Sequence, residues 1–208
     1  MLNLCFDIGA NKGLYTDANK SKFKSFLIID ANPACIEYLT HKFTSEPNVY
    51  IVNAIVSSNK TETFYVCDQA DTISTSDKEW ITNSRFSKDY TWKPVEHLQT
   101  ISLDTCIHIY GKPDRIKIDV EGYELNVCKS LTQKVDELCF EWAEEKQKEC
   151  IETVEYLETI GFTQFSIQLE DNYLYIPSIF LSKTDTIDWL NKNTNPSRKQ
   201  LWGMIWCR

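Results

Sequence analysis

Two stretches of the sequence place acidic residues beside glycines in patterns that suit a small charged ligand. The first is the segment 7–13, DIGANKG, which has the form DxGxNxG. Gly9 and Gly13 allow a tight backbone turn and a close approach to a ligand, and the amides of a following helix can receive an anionic group. The pattern lacks the closely spaced second glycine of the dinucleotide fingerprint GxGxxG. A carboxylate at Asp7 would be unfavourable beside a phosphate, so we expect a ligand with a positively charged end.

A second acid, Asp30, closes the apolar run 26–30 and lies seventeen residues after Gly13. A carboxylate at this place can accept hydrogen bonds from both hydroxyls of a ribose. A single acid at a strand end more often caps a helix or faces solvent. Two such acids on consecutive parallel strands, on either side of a glycine turn, favour an adenosyl ligand with a positive end. We therefore predict S-adenosylmethionine as the cofactor, with Asp7 and Asp30 as contacts.

The second stretch is the segment 116–122, IKIDVEG, in which Ile116 and Ile118 alternate with Lys117 and Asp119. Two ionisable residues on one face of a central strand are costly unless they are paired or used. A satisfied Lys117–Asp119 ion pair is the structural interpretation. The functional interpretation places Asp119 at the carboxyl end of the strand, where open α/β sheets bind ligands.

Transfer of a methyl group from a sulfonium is an in-line displacement in which positioning supplies much of the catalysis, and a base helps a hydroxyl to attack. Asp119 is the first candidate for that base. Lys117 could adjust the basicity of Asp119 or hold the acceptor oxygen. Glu141 ends a neighbouring predicted strand, so Asp119 and Glu141 could instead hold Mg²⁺. His97 is a further candidate base.

The strand and helix signals alternate along the chain, and the strands are apolar without interruption, which is typical of a parallel sheet covered on both faces. The sequence predicts helices over 11–20, 33–42, 123–131, 146–159 and 185–193. It predicts strands over 2–6, 26–30, 49–56, 100–104, 115–120, 137–142, 162–169 and 201–207.

Residues 68–99 interrupt this rhythm with a polar stretch that carries several aromatic side chains. A long excursion within a compact α/β unit is usually functional. We expect it to be an insertion on the acceptor side, where Trp80, Tyr90 and Trp92 either stack on a sugar or pack within the loop. No repeat or linker divides the chain, so residues 1–208 are predicted to form a single domain.

The composition of the chain disfavours some classes of substrate and some cellular locations. The chain has 208 residues and a net charge of −8, so a nucleic acid receives no long-range attraction and is an unlikely substrate on charge grounds. It contains no apolar run long enough to span a membrane and no leader pattern, so we expect a cytoplasmic protein. The eight cysteines form no CxxC pair and are expected to be buried, reduced thiols.

The segments FDIGANKG, IIDANP, VNAIVS, ISLD and IKIDVEGYE, in this order and spacing, resemble the FkbM family of class I S-adenosylmethionine-dependent methyltransferases. The resemblance extends from Cys5 to about Ile167, and IKIDVEG is its most specific part. It implies a Rossmann-like α/β fold, a three-layer sandwich around a mainly parallel seven-stranded sheet whose last strand is antiparallel. It also implies O-methylation of sugar hydroxyls, on glycolipids, oligosaccharides or polyketide-linked rings.

The same resemblance assigns roles to individual residues. It carries the catalytic centre onto Asp119 and Glu121. It carries cofactor binding onto Asp7, Gly9, Ala10, Asn11, Gly13, Asp30, Ala31, Asn53, Ala54 and Asp119. Residues 68–99 and the tail from Asp171 match the family poorly, so the choice of acceptor is not transferable.

Several alternatives stay open. The early first strand suggests a domain excised from a longer protein, or a short enzyme, fused to or acting beside glycan-building enzymes. The Lys117–Asp119 pair also suits an RNA ribose 2′-O-methyltransferase, although no basic stripe is present. A non-catalytic adenosyl-binding module would have no need of three acids around one cleft. A nicotinamide oxidoreductase is the most distant alternative.

Overall fold

Apolar runs rich in β-branched and aromatic residues form the central strands, as the sequence predicts. The computed structural model describes all 208 residues. Its strands are β1 (Leu2–Ile8), β2 (Phe23–Asp30), β3 (Val49–Asn53), β4 (Ile55–Val56), β5 (Phe64–Val66), β6 (Lys93–Val95), β7 (Thr100–Ile101), β8 (Arg115–Ile118), β9 (Glu137–Ala143), β10 (Phe165–Leu169) and β11 (Trp202–Cys207). Its α-helices are α1 (Leu14–Asn19), α2 (Pro33–Lys42), α3 (Lys78–Asn83), α4 (Leu103–Tyr110), α5 (Glu124–Cys128), α6 (Gln147–Thr159) and α7 (Lys183–Asn193).

Seven of these strands form one sheet in the order β10-β11-β9-β8-β1-β2-β3. The pairs that involve β11 are antiparallel and all others are parallel. This confirms the predicted mainly parallel, seven-stranded sheet with an antiparallel last strand. From β1 the chain builds outward through β2 and β3, and then returns to add β8 on the other side. The carboxyl ends of β1 and β8 therefore border the switch point, where such sheets bind ligands.

Both faces of the sheet are covered, which gives the three layers of a Rossmann-like fold. Alternate residues of β1 point to opposite faces, so that Phe6 and Ile8 join a core of 29 buried residues while Cys5 joins a second core of 8. All eight cysteines are free and buried, as expected. No helix combines the length and the apolar character that a membrane crossing requires.

Two of the predicted strands are each divided between two elements in the structure. The run 49–56 is divided, because β3 pairs in the main sheet while β4 turns away to pair with β7. The predicted strand 100–104 ends at Ile101, and α4 begins at Leu103. The Ser102 side chain caps this helix by accepting a hydrogen bond from the backbone N–H of Thr105 at 3.0 Å. Serine is a favoured residue at this capping position, which explains why the helix begins here.

The segment 68–99 is anchored to the rest of the molecule by charged contacts. It contains a 3₁₀ turn (Asp71–Ile73), helix α3 and strand β6, which pairs with β5. Asp77 caps α3 and also receives the Lys146 ammonium at 2.8 Å. The Arg85 guanidinium binds Glu145 through a hydrogen bond of 2.6 Å and also reaches the carbonyl of Leu201. These contacts fix the segment above the carboxyl ends of the strands.

Candidate functional site

A cavity of about 440 Å³ lies at the carboxyl ends of the strands, between the sheet and the segment 68–99. Its size is within the range of small-molecule sites. It brings together most of the residues that the sequence singled out. Those on its wall are Gly9, Ala10, Asn11, Asp30, Ala31, Ala54, Lys117, Asp119, Glu121 and Glu141.

The glycine loop is shaped by contact with the strand beside it. Gly9 has φ +70°, and a Cβ atom there would lie 1.8 Å from the carbonyl oxygen of Asp119. Asn11 also adopts a left-handed conformation, with φ 48°. The backbone N–H of Asn11 donates a hydrogen bond of 2.7 Å to Asp30 Oδ2. The loop therefore holds the Asp30 carboxylate directly.

Asp30 ends β2 and is almost completely buried. Its Oδ1 accepts a hydrogen bond of 2.8 Å from the backbone N–H of Asn32. Burial raises the pKa of Asp30 to about 6, although the amides of Asn32 and Asn11 lower it in part. Each oxygen keeps a lone pair for a further donor, so Asp30 could accept two neighbouring hydroxyls.

Lys117 joins the two sequence motifs. Its ammonium donates to the carbonyl of Gly9 at 3.0 Å and lies 3.3 Å from Asp119 Oδ2 and 3.4 Å from Asp7 Oδ1. Burial favours the neutral amine, but Asp119 and Asp7 outweigh this and hold the pKa of Lys117 above its ordinary value. Lys117 therefore remains charged and fixes Asp119 against the glycine loop. The ion pair is present, and it lies on the cavity wall.

Three carboxylates meet on the cavity floor. Pairing of Ile118 with Phe140 places Asp119 beside Glu141, and the turn after β8 adds Glu121, which has φ 56°. One carboxylate oxygen from each lies within 4.8 Å of the others. Burial and the neighbouring negative charges raise the pKa values of Glu121 and Glu141. An all-oxygen set of this kind suits a hard cation such as Mg²⁺.

The expectation that Asp7 faces the ligand is not supported by its position. Asp7 is completely buried beneath α1, where its Oδ2 accepts a hydrogen bond of 2.7 Å from Thr16 Oγ1. Strand alternation is the reason, because Asp7 shares the face of Cys5 rather than the face of Ile8. Its charge acts on the site through Lys117.

Gly13 and Asn53 also lie off the cavity wall. Gly13 packs α1 onto α2, since a Cβ atom there would meet Leu39 at 2.9 Å and Phe43 at 2.8 Å. The Asn53 amide donates to the carbonyls of Asp30 and Ala31 at 3.0 and 3.2 Å. Both residues support the site rather than line it.

Of the three aromatic residues expected on the acceptor side, only Trp80 lines the cavity. It is 3% exposed, packs over Gly122, and has an indole N–H with no partner in the protein. Trp92 donates its indole N–H to the carbonyl of Ile73, and Tyr90 packs against Phe86. His97 is exposed and does not line the cavity.

Sequence reasoning missed the cavity residues that come from the irregular segments. Arg85 and Phe86 enter from the segment 68–99, and Asp171 and Tyr173 enter from the loop after β10. Neither segment has a periodic pattern that would have indicated which side chains turn inward. The only sequence feature that could have pointed to one of these cavity residues was the acidic side chain of Asp171.

Comparison with known protein families decides the class of the molecule. A family profile described as "Methyltransferase FkbM domain" matches residues 7–169, which include the glycine loop, Asp30 and the IKIDVEG segment. The chain belongs to the FkbM methyltransferase family. This FkbM protein is therefore an S-adenosylmethionine-dependent methyltransferase of class I fold. A search of curated proteins found no match.

The solved structures with a similar chain path include several methyltransferases of low sequence identity. A precorrin-6y C5,15-methyltransferase from Geobacter metallireducens has a TM-score of 0.47 and 11% identity, over 98% of this chain and 79% of that one. A TehB-like methyltransferase from Corynebacterium glutamicum has a TM-score of 0.48 and 9% identity, over 99% and 79%. A fibrillarin from Aeropyrum pernix, solved with bound S-adenosylmethionine, has a TM-score of 0.45 and 9% identity, over 100% and 66%.

Proposed function

We propose that this FkbM protein transfers a methyl group from S-adenosylmethionine to a hydroxyl of a sugar or glycan. The observation that carries the proposal is the position of Asp119. It is held by Lys117 beside Glu121 and Glu141, in the same cavity as Asp30. One side of the cavity thus suits an adenosyl group, and the other offers a base.

The residues of the glycine-loop side fit the cofactor. Asp30 accepts the two ribose hydroxyls, while the apolar side chains of Ala31, Ala54 and Ile55 line the same side and can cover a flat base. S-adenosylmethionine supplies an activated methyl group when bound. The protein then has to orient the acceptor and remove one proton.

Asp119 takes the proton of the attacking hydroxyl. Its Oδ2 faces the Lys117 ammonium at 3.3 Å, which leaves Oδ1 for the acceptor. Lys117 keeps the carboxylate in place and cannot itself accept a proton, because it remains charged. A base in this position increases the rate of the reaction by about 10²–10⁴-fold.

The charges of the cavity favour a polyhydroxylated acceptor over a nucleic acid. Asp119, Glu121, Glu141 and Asp171 all lie on its wall. Carboxylates accept hydrogen bonds from sugar hydroxyls, whereas they repel phosphates. The Lys117–Asp119 pair keeps RNA ribose methylation as the second candidate, and the net charge of −8 argues against it.

The carboxylate cluster supports a second role for Asp119. Together with Glu141, and with Glu121 added by the structure, it could hold Mg²⁺, which would bind vicinal hydroxyls and lower their pKa. Treatment with EDTA separates the two roles. Activity that is indifferent to EDTA identifies a base, and activity that is lost and then restored by Mg²⁺ identifies a ligand.

Mass spectrometry tests the proposed function. Glycan pools and structured RNA are incubated separately with the protein and S-adenosylmethionine carrying a deuterated methyl group. The expected result is one labelled methyl on a glycan, absent with the Asp119→Asn variant. A label on RNA alone would contradict glycan methylation and support RNA ribose methylation instead. No label on either acceptor would contradict the proposal.

A further inference from the structure

Every cation on the cavity wall is already engaged by an acid of the protein. Lys12 pairs with Asp71 at 2.6 Å. The Arg85 guanidinium pairs with Glu145 at 2.6 Å. Lys117 lies between Asp7 and Asp119. None of these positive charges is free to neutralise another group.

Three acids on the acceptor side of the wall, away from Asp30, have no such partner. They are Glu121 in the turn after β8, Glu141 on β9 and Asp171 in the loop after β10. No ion pair of the structure includes any of them, while Glu121 and Glu141 crowd against Asp119 within 4.8 Å. The acceptor side of the cavity therefore carries more acidic groups than paired cations can balance, and a positively charged ligand placed there favours the ionised form of these carboxyls.

We propose that these three acids make the site discriminate between the charge states of the cofactor, so that it retains the charged methyl donor and releases the neutral product. The inference rests on the proposed function. When the methyl group passes from sulfur to the hydroxyl oxygen, the sulfur keeps the electron pair of the broken bond and becomes an uncharged thioether. The hydroxyl proton passes to Asp119. Because the product has lost the positive charge, it also loses the attraction of the acidic wall.

Calorimetric titration of the purified protein with three ligands tests this inference without an acceptor. The ligands are S-adenosylmethionine, S-adenosylhomocysteine and sinefungin, an analogue that keeps a positive charge through an amine in place of the methyl sulfonium. The titrations are carried out in EDTA, so that no divalent cation screens the acids. We expect S-adenosylmethionine and sinefungin to bind about tenfold or more tightly than S-adenosylhomocysteine, the scale of a partly screened charge pair.

Two variants locate the effect. Glu141→Gln and Asp171→Asn keep the shape of each side chain and remove one charge. Each should weaken the two charged ligands several-fold and leave S-adenosylhomocysteine nearly unchanged. Glu155→Gln, on the exposed outer face of α6, changes the net charge equally and should alter none of the three affinities. Asp171→Asn also guards against a folding defect in the Glu141 variant.

Equal affinity of the wild type for all three ligands would overturn the inference, as would equal losses for all three in the variants. If the labelled methyl still reached a glycan, the proposed function would stand and only the charge discrimination would fail. If none of the three ligands bound, the proposed function and the inference would fail together.

Discussion

Gly9 and Asp119 are in direct contact through their backbones. A Cβ atom at Gly9 would lie 1.8 Å from the Asp119 carbonyl oxygen, and the Asp119 N–H donates to the carbonyl of the neighbouring Ile8 at 3.1 Å. The glycine loop and Asp119 are thus two parts of one packed unit. A substitution that moves the backbone of either residue should therefore also displace the other.

Replacement of Gly9 by alanine tests this contact, and Gly111 is the matched control. Both glycines have positive φ, but a Cβ atom at Gly111 would meet nothing within 4 Å. Gly111→Ala should lower the free energy of unfolding by about 1–3 kcal/mol through backbone strain. Gly9→Ala should lower it by a further ~1–3 kcal/mol through overpacking and should also abolish cofactor binding. Denaturant unfolding measures both. Equal losses would mean that the contact is not tight.

Removal of Asp30 tests the ribose site. Asp30→Ala should weaken S-adenosylmethionine and S-adenosylhomocysteine alike, by about 1.5–3 kcal/mol for a lost charge-assisted hydrogen bond. Asp89→Ala, at an exposed position in the segment 68–99, should have no effect. Calorimetry measures both, and NAD should not bind to either protein. Unchanged affinity in Asp30→Ala would remove this residue from the site.

The raised pKa of Asp30 predicts a pH dependence. In the unfolded chain Asp30 ionises near 3.8, and in the folded protein near 6. Its contribution to stability is therefore present below pH 3.8 and is lost as the pH rises to about 6. Ligand affinity should change in the opposite direction, because ribose hydroxyls donate better to the ionised carboxylate. S-adenosylmethionine should bind more weakly at about pH 5 than at about pH 7.5. Asp30→Asn should flatten this difference, and an unchanged pH profile would exclude Asp30 as its source.

Asp119→Asn keeps the size of the side chain and removes its charge. We expect turnover to fall by about 10²–10⁴, as for a lost base, while the cofactor still binds. Asp188→Asn, on the exposed face of α7, is the control. Wild-type activity should be indifferent to EDTA if Asp119 acts as the base. Near-normal turnover of Asp119→Asn would exclude Asp119 as the base and leave Glu121 and Glu141 as the candidates.

Substitutions of Trp80 and Trp92 distinguish a residue that lines the cavity from one that only supports it. Trp80→Phe should raise the acceptor KM roughly three- to tenfold, the equivalent of one hydrogen bond of about 0.5–1.5 kcal/mol, and leave cofactor affinity nearly intact. Trp92→Phe removes the bond to Ile73 and should lower stability without changing the acceptor KM. Steady-state kinetics and thermal unfolding measure the two effects. Loss of cofactor affinity in Trp80→Phe would assign this residue to the cofactor pocket.

Much of the fold could be predicted because its signals are local. Uninterrupted apolar runs such as 26–30 can only be buried on both faces, which requires a parallel sheet with helices on each side. Parallel strands end at one edge, so acids at the strand ends, such as Asp30 and Asp119, were expected to meet there. The spacing of the motifs was enough to bring these residues to a single cavity.

Other features depended on packing between distant parts of the chain. The sequence by itself determined that Asp7 ends a strand beside a glycine turn, but the helix packed on that face decided that it lies beneath α1, away from the cavity wall. Arg85 and Asp171 reach the cavity from irregular segments, whose inward side chains follow no period. Glu121 joins Asp119 and Glu141 only because the turn after β8 adopts a left-handed conformation. Tertiary structure decided these positions, because an irregular backbone takes its direction from the surfaces it contacts.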